Sequence, residues 1–489
     1  MRTPSETDGV AGSDADRDGG AESGRDGTGS TSDADRDGER HTSRRKYLAG
    51  LGAAAGLAGA GIAGGLAGCV ELPTSQVTYD LDQASFDPPA LPYDQTYPDD
   101  EDVTMFRRGL RRLGYYPGET VPDAVTTNWE RPTNLRCHNA AKASPLVAPG
   151  GDTVLVPADT GKMHAVTPKG EHLWTTETPA TRQGFHATPV IVDGVAYLGG
   201  YDGANAGQDA GMYAFDVETG EMLWRTEEMH GSVAIGSSAG YWDGYLYVIV
   251  EHRHPRQKGE LWVFEAESGT PVFSDDRIDG MPHPTVAISP TDERLLTGSN
   301  DGLVYCWEFP SLEFAWTFET GAEVKGPIAL YDGAAFVGSW DSNCYRLDVT
   351  DGSEDWSFET DDIVMSAPAV DPESGIVYFG SDDWHIYALD AGTGEEVWST
   401  DVGGRVMGAL TVTSDAVMAG TTAGEVVALE KDTGDLRWFV QTRGQATSAP
   451  VPHDGRIFVA ERAVMSGCWT EESPVELQAP GHTYCLVSE

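Results

Sequence analysis

The sequence predicts an all-β chain folded as an eight-bladed β-propeller of four-stranded antiparallel blades. Three observations predict it: a tryptophan recurs every 40 to 50 residues, a Gly turn stands shortly before it, and each interval holds four short apolar runs broken by Gly and Asp. Four strands at that period make a blade rather than a helical solenoid unit, and a blade buries both faces only by stacking on its neighbours.

The ladder is Trp129, Trp174, Trp224, Trp316, Trp356, Trp398 and Trp438, with Phe273 in the long gap after Trp224. Each of these residues is expected on an outer strand, filling the space between adjacent blades. The clearest unit runs Ser366-Ala367-Pro368, Gly375–Ser381, Ile386–Asp390, Thr393-Gly394 and Trp398. The turn recurs as Thr219-Gly220, Ser268-Gly269, Asp351-Gly352 and Thr433-Gly434. Three strands follow Trp438, near 446–452, 456–461 and 483–488. The missing fourth is expected around Thr127–Arg131, so that an N-terminal strand completes the last blade and removes a free sheet edge.

Tyr387–Trp398, and more loosely Tyr213–Trp224, Tyr345–Trp356 and Val427–Trp438, resemble the pyrroloquinoline-quinone-like (PQQ-like) repeat family over about residues 104–489. Blade 3 departs most, with Ser237-Ser238 in place of Ser-Pro and Phe273 in place of Trp. The resemblance implies a binding or scaffolding propeller, like the propeller lipoprotein of the outer-membrane assembly machine. Its alternative is a PQQ-dependent alcohol or sugar dehydrogenase with calcium. The resemblance gives those dehydrogenases a stacking Trp on the channel floor, a Ca²⁺ held by Glu, Asn and Asp, a catalytic Asp and an adjacent Cys-Cys pair. The sequence carries neither that pair nor a Cys-x-x-Cys-His haem motif. The reading therefore leans away from an enzyme and assigns no catalytic residue and no metal.

The 489 residues carry 32 Lys+Arg against 78 Asp+Glu, a net charge of −46. Phosphate binding needs a basic surface, so nucleic acid is excluded as a partner. Acid spread along the whole chain fits solubility at very high salt, as in a halophile. Residues 1–43 are too polar to bury a core. Residues 44–68 read as a twin-arginine signal (Arg44, Arg45) with an uncharged Ala/Gly/Leu run. The run ends in Leu66-Ala67-Gly68-Cys69, a lipobox with Cys69 as the lipid site. Residues 69–103 read as a linker and 104–489 as the propeller. The expectation is a monomer, exported to the outer face of the cytoplasmic membrane and touching it through the lipid alone.

Cys306 and Cys485 occupy the Ala place of Tyr-Ala-Leu-Asp and read, like Cys344, as buried packing residues. Cys137 and Cys468 fall in irregular segments flanking the closure and are a candidate disulfide. Asp382-Asp383 and Asp301-Gly302 read as solvated turns, since they lack calcium-loop spacing. Counting three back from each repeat's Pro gives a channel ring of Lys142, His186, Ile235, Met281, Val324, Met365, Met407 and Thr447. The long loops Asn134–Ala143, Tyr201–Gly211, Glu251–Gly259 and Glu461–His482 share one face of blades 8, 1, 2 and 3. They concentrate His and Arg there, and loops on a rigid scaffold favour binding. The candidate ligand-binding set is His138, Lys142, His186, Arg253, His254 and His283, suited to a protein partner or a small anionic ligand.

Overall fold

In blade 6 the two middle strands, Ile376–Gly380 and His385–Asp390, are buried almost throughout, because both of their faces press on neighbouring blades. The outer strand Glu396–Asp401 alternates, with Trp398 buried between exposed residues. The computed structural model describes residues 86–89, 91, 103–135, 143–179, 184–200, 211–226, 233–252, 257–466 and 476–489. Eight such four-stranded units follow one another, the first opening at Leu146–Val147. The eighth runs Val451–His453, Arg456–Ala460 and Gly481–Ser488, and its outer strand is the N-terminal Val125–Asn134. Thr127 pairs with Leu486 and Arg131 with Thr483, so the expected closure is present.

The tryptophans join blade to blade. Each indole N–H of Trp129, Trp174, Trp224, Trp316, Trp356 and Trp398 donates to a backbone carbonyl of the next blade, at 2.9–3.2 Å. In the same neighbouring turn a positive-φ glycine lies flat under the ring, as Gly434 does beneath Trp398. Cys306 pairs with Trp316, and Cys485 with Trp129, where Ala388 pairs with Trp398; a small residue is needed opposite the ring. Cys306, Cys344 and Cys485 are free and fully buried, as expected.

Two junctions depart from the pattern. At Phe273 the indole is lost, and the facing turn in blade 4 has lost its glycine as well: Leu312 takes the positive φ of 59°. At blade 8 no turn joins the third and outer strands, because Gly481–Ser488 and Val125–Asn134 come from opposite sides of the propeller sequence. Pro122 O replaces the turn carbonyl and accepts from Trp438 Nε1 at 2.9 Å.

Before becoming that outer strand, the N-terminal segment spans the channel. Val103–Thr104 pairs with the inner strand of blade 2. Then Leu110, Arg111, Leu113 and Gly114 each offer a carbonyl to an inner-strand N–H. The donors are Ile288, Leu330, Val370 and Val412, of blades 4 to 7, at 2.8–2.9 Å. Tyr115–Tyr116 then runs parallel to Thr411–Thr413. Two buried guanidiniums fasten the segment. Arg112 donates to Phe106 O, Val286 O and Ala239 O, each at 2.9 Å. Arg107 donates to Arg112 O, Ala367 O and Pro368 O. Both arginines take left-handed backbone, φ 57° and 58°, a strain of about 1 kcal/mol each that charged hydrogen bonds outweigh. Gly114 is required, since a Cβ there would stand 2.7 Å from Arg107 Nη2 and 2.9 Å from Leu410 O.

Two predictions follow from this architecture. Gly333 also has positive φ (68°) but open space around it; Gly333→Ala should cost about 1–2 kcal/mol of left-handed strain. Gly434→Ala adds a clash 2.6 Å from the Trp398 ring and should lose a further ~1–3 kcal/mol; urea unfolding of the two variants gives the comparison. Arg112→Met strands three buried carbonyls and should cost about 3–5 kcal/mol. Arg108→Met, on an exposed residue stacked 5.7 Å over Tyr116, should cost under about 1 kcal/mol in the same measurement.

Candidate functional site

At the loop end of the channel, two register places per blade lie against the axis. One follows the second strand, where Gly298-Ser299, Gly338-Ser339, Gly380-Ser381 and Gly420-Thr421 lead into Asn300, Trp340, Asp382 and Thr422. The other stands at the entry to the inner strand. Backbone bonds interleave the two: Val324, Val364 and Val406 N–H donate to Ser299, Ser339 and Ser381 O at 2.9–3.1 Å. In return, Trp340, Asp382 and Thr422 N–H donate to Glu323, Ile363 and Arg405 O at 2.9–3.0 Å. The order around this arc is therefore Asn300, Lys325, Trp340, Met365, Asp382, Met407, Thr422.

This register corrects three members of the ring expected from proline spacing. Ile288, Leu330, Val370 and Val412 are equivalent because each donates to the N-terminal segment. Counting back from them, the blade 4 place belongs to His283 rather than Met281, and the blade 5 place to Lys325 rather than Val324. In blade 3 a hydroxyl chain sets the register. Ala449 N donates to Ser144 Oγ, Ser144 N to Thr188 Oγ1, Thr188 N to Ser238 Oγ and Ser238 N to Thr285 Oγ1, at 2.9–3.1 Å. Ser238 is thus the residue before the Pro place, and the ring residue is Gly236, not Ile235. Pro284 sits two places early and Pro327 one, because a buried inner strand accepts Val286 or Ile328 where its neighbours hold Pro. His186, Met365, Met407 and Thr447 stand where expected.

Of the candidate ligand-binding residues, His186 and His283 lie within the described residues. His138, Lys142, Arg253 and His254 lie outside them, as do Arg44, Arg45, Cys69, Cys137 and Cys468. His186, His252, His283 and His482 stand at the same end of their blades, but several are engaged internally. His283 Nδ1 is 3.2 Å from Glu251 Oε1, and His252 Nε2 is 2.9 Å from Glu260 Oε1. His482 Nδ1 is 3.2 Å from Glu461 Oε1, which also accepts from Tyr484 Oη at 2.9 Å. At the seam, Arg462 Nε donates to Thr447 Oγ1 at 2.9 Å, and burial lowers its pKa to about 10.

The acidic turns are solvated only in part: Asp301 is exposed, Asp341 and Asp383 are half-buried, and Asp382 is buried. Asp301, Asp341 and Asp383 accept from the hydroxyls of Tyr305, Tyr345 and Tyr387 at 2.6–2.7 Å, clasping turn to strand. Asp382 has another role. Its side chain is 4% exposed, its Oδ2 lies 3.6 Å from Arg405 Nη1, and its Oδ1 has no protein partner. Burial pushes its pKa up to about 6, against the pull of Arg405. Lys325 Nζ lies 3.3 Å from the Trp340 ring centroid, with Glu323 at 4.0 Å, and burial lowers its pKa. Asn300, Lys325, Trp340 and Asp382 were not singled out by composition or motif. The signal was present in the repeated Gly-Ser-x, whose x changes from blade to blade while its frame does not.

A propeller of this repeat type, its channel crossed by its own N-terminal segment, defines the class. The family model described as outer membrane protein assembly factor BamB matches residues 125–272, 256–384 and 382–468, and the chain belongs to that family. The serine/threonine-protein kinase AfsK of Streptomyces coelicolor is 26% identical over 253 residues, half of this chain but 28% of the kinase. Among solved structures, the quinohemoprotein alcohol dehydrogenase of Comamonas testosteroni superposes with TM-score 0.62 at 15% identity, covering 79% of this chain and 80% of that one. BamB from Moraxella catarrhalis gives TM-score 0.54 at 15% identity, covering 74% and 100%. At those identities the likeness is one of fold.

The likeness in fold to a quinohemoprotein dehydrogenase leaves PQQ open. One face of the Trp340 indole is covered by Lys325. Among the described residues no three His, Cys, Asp or Glu side chains converge on a metal-sized space.

Asp382 gives a pH prediction. Its folded pKa lies above the unfolded value of 3.8, so its contribution to stability is complete below about pH 4 and is lost as the pH rises through about 6. Asp382→Asn should flatten stability between those values, read from urea midpoints at stepped pH, and the carboxyl carbon should titrate near 6 by NMR.

Proposed function

We propose that this protein is an exported scaffold, anchored through lipid on Cys69 to the outer face of the cytoplasmic membrane, that holds a protein partner on the loop end of its propeller. The N-terminal plug carries this reading: a channel spanned by Arg107 and Arg112 is no conduit, which leaves the faces of the ring for binding. Membership of a family named for an assembly factor supports it. So does Trp384, 51% exposed on a loop-end turn at φ 78°, where Gly161, Gly302 and Gly424 hold the same place in other blades. Strained backbone presenting an exposed indole is a usual mark of a contact residue.

A photo-crosslinking amino acid at Trp384 should give one defined protein adduct in cells, and the same group at Gly333, in a turn at the opposite end, should give none. Adducts from both positions, or none from Trp384, would overturn the reading. Cys69→Ala should move the protein out of the membrane fraction.

A further inference from the structure

Three consecutive blades present, at the same register place, a buried polar atom with no protein partner: Asn300 Oδ1, Trp340 Nε1 and Asp382 Oδ1. A native core leaves few such atoms, and each costs about 1–3 kcal/mol. Others are scattered over the ring, at Thr160, Trp242 and Arg456 for example; these three share one register place on consecutive blades. Two opposite charges stand among them. Lys325 lies between Asn300 and Trp340, its ammonium on the indole face. Asp382 lies beyond Trp340 and Met365. Their existing counter-charges are long and rim-side: Glu323, 38% exposed, at 4.0 Å from Lys325, and Arg405, 56% exposed, at 3.6 Å from Asp382. Between the two charges in this order stand Trp340 and Met365.

We infer that the blade 4–6 sector of the funnel binds a small linear zwitterion, an ω-amino carboxylate. Its carboxylate meets Lys325, the Trp340 N–H and the Asn300 amide, which can turn its nitrogen inward. Its ammonium meets Asp382 Oδ1. The methylenes between them lie along Trp340 and Met365. Two charged ends explain why neither charge has a counter-ion at hydrogen-bonding distance within the protein, Glu323 lying at 4.0 Å and Arg405 at 3.6 Å: each is desolvated at a loss unless a ligand pairs it. The spacing follows from the arc. Because a Trp and a Met separate Lys325 from Asp382, an α-amino acid, with its charges on adjacent carbons, cannot reach both. The Lys and Glu, and the Asp and Arg, sum to zero, which matches a ligand with no net charge. This site does not depend on the scaffold reading: it lies inside the funnel, whereas Trp384 stands on its rim.

Isothermal titration of the full-length protein with glycine, β-alanine, 4-aminobutyrate and 6-aminohexanoate tests it. Butyrate, butylammonium and glucose serve as single-charge and neutral probes. Binding should rise with chain length among the zwitterions and be at least about tenfold weaker for every other probe. Lys325→Met and Asp382→Asn should each weaken zwitterion binding at least about tenfold. Because Asp382→Asn removes an unsatisfied charge, that variant should keep or raise the melting temperature of the ligand-free protein, which separates lost binding from lost fold. No heat from any zwitterion, tighter binding of glucose or butyrate, or variants that bind as the parent does, would overturn the assignment. Crosslinking from Trp384 is unaffected by any of these results and reports on the partner surface alone.

Discussion

Eight sheets set radially leave eight inner strands whose channel-side N–H and C=O groups have no strand beside them. A buried backbone group without a partner costs as much as a lost hydrogen bond, so the channel must hold water, a ligand or protein. This chain supplies protein. Between Val103 and Tyr116 its backbone bonds to the inner strands of blades 2, 4, 5, 6 and 7, and Arg112 reaches blade 3 at Ala239 O. The two guanidiniums do what a strand cannot, because five fixed donors can reach carbonyls on blades that face different ways. The same segment then forms the outer strand of blade 8 and lends Pro122 O to Trp438. Plug, last strand and last docking contact are thus one continuous stretch, and the ring cannot close without it.

The blade junctions obey a matched-pair rule. An indole needs a flat floor and an acceptor, and both come from one turn of the neighbouring blade. Where Phe273 removes the indole, nothing requires the floor, and the turn carries the bulky Leu312 and Phe309, which join the core around Trp242 and Tyr247. That junction is held instead by Trp307 Nε1 donating to Asp275 Oδ2 at 2.9 Å and by Arg277 over the Phe314 ring at 4.2 Å.

The fold was legible because its determinants are periodic and local. The Trp ladder, the Gly turn and the small residue opposite the ring recur at fixed offsets, so Cys306 and Cys485 could be read as packing from position alone. The plug was not legible. Met105 to Gly114 has no period, and the partners of Arg107 and Arg112 are main-chain carbonyls, which no side-chain pattern announces. The channel ring was legible in part. Proline marks the inner strand only where the strand tolerates it, so Pro284 and Pro327 shifted the count, and Lys325 and the ring place of His283 became visible only through backbone bonds. Asp382 looked like any acidic turn residue among 78 acids; what sets it apart is burial, a tertiary property.

The two halves of the funnel spend their polar groups differently. From blade 8 to blade 4 a chain of hydroxyls, Ser144, Thr188, Ser238 and Thr285, closes on backbone N–H groups, and around it Glu461 gathers His482, Tyr484 and the Gly444 N–H. In blades 6 to 8 the corresponding places are Ala367, Ala409 and Ala449, packed on Phe106. Above that apolar floor stand Asp382, with Trp340 and Lys325 beside it, the groups the protein leaves unmatched. The contrast belongs to these residues and not to whole arcs, since Thr160 and Arg456 beside the seam also carry unmatched buried atoms. What distinguishes Asn300, Trp340 and Asp382 is that the repeat sets them at one register place on consecutive blades, so that their unmatched atoms can serve one ligand.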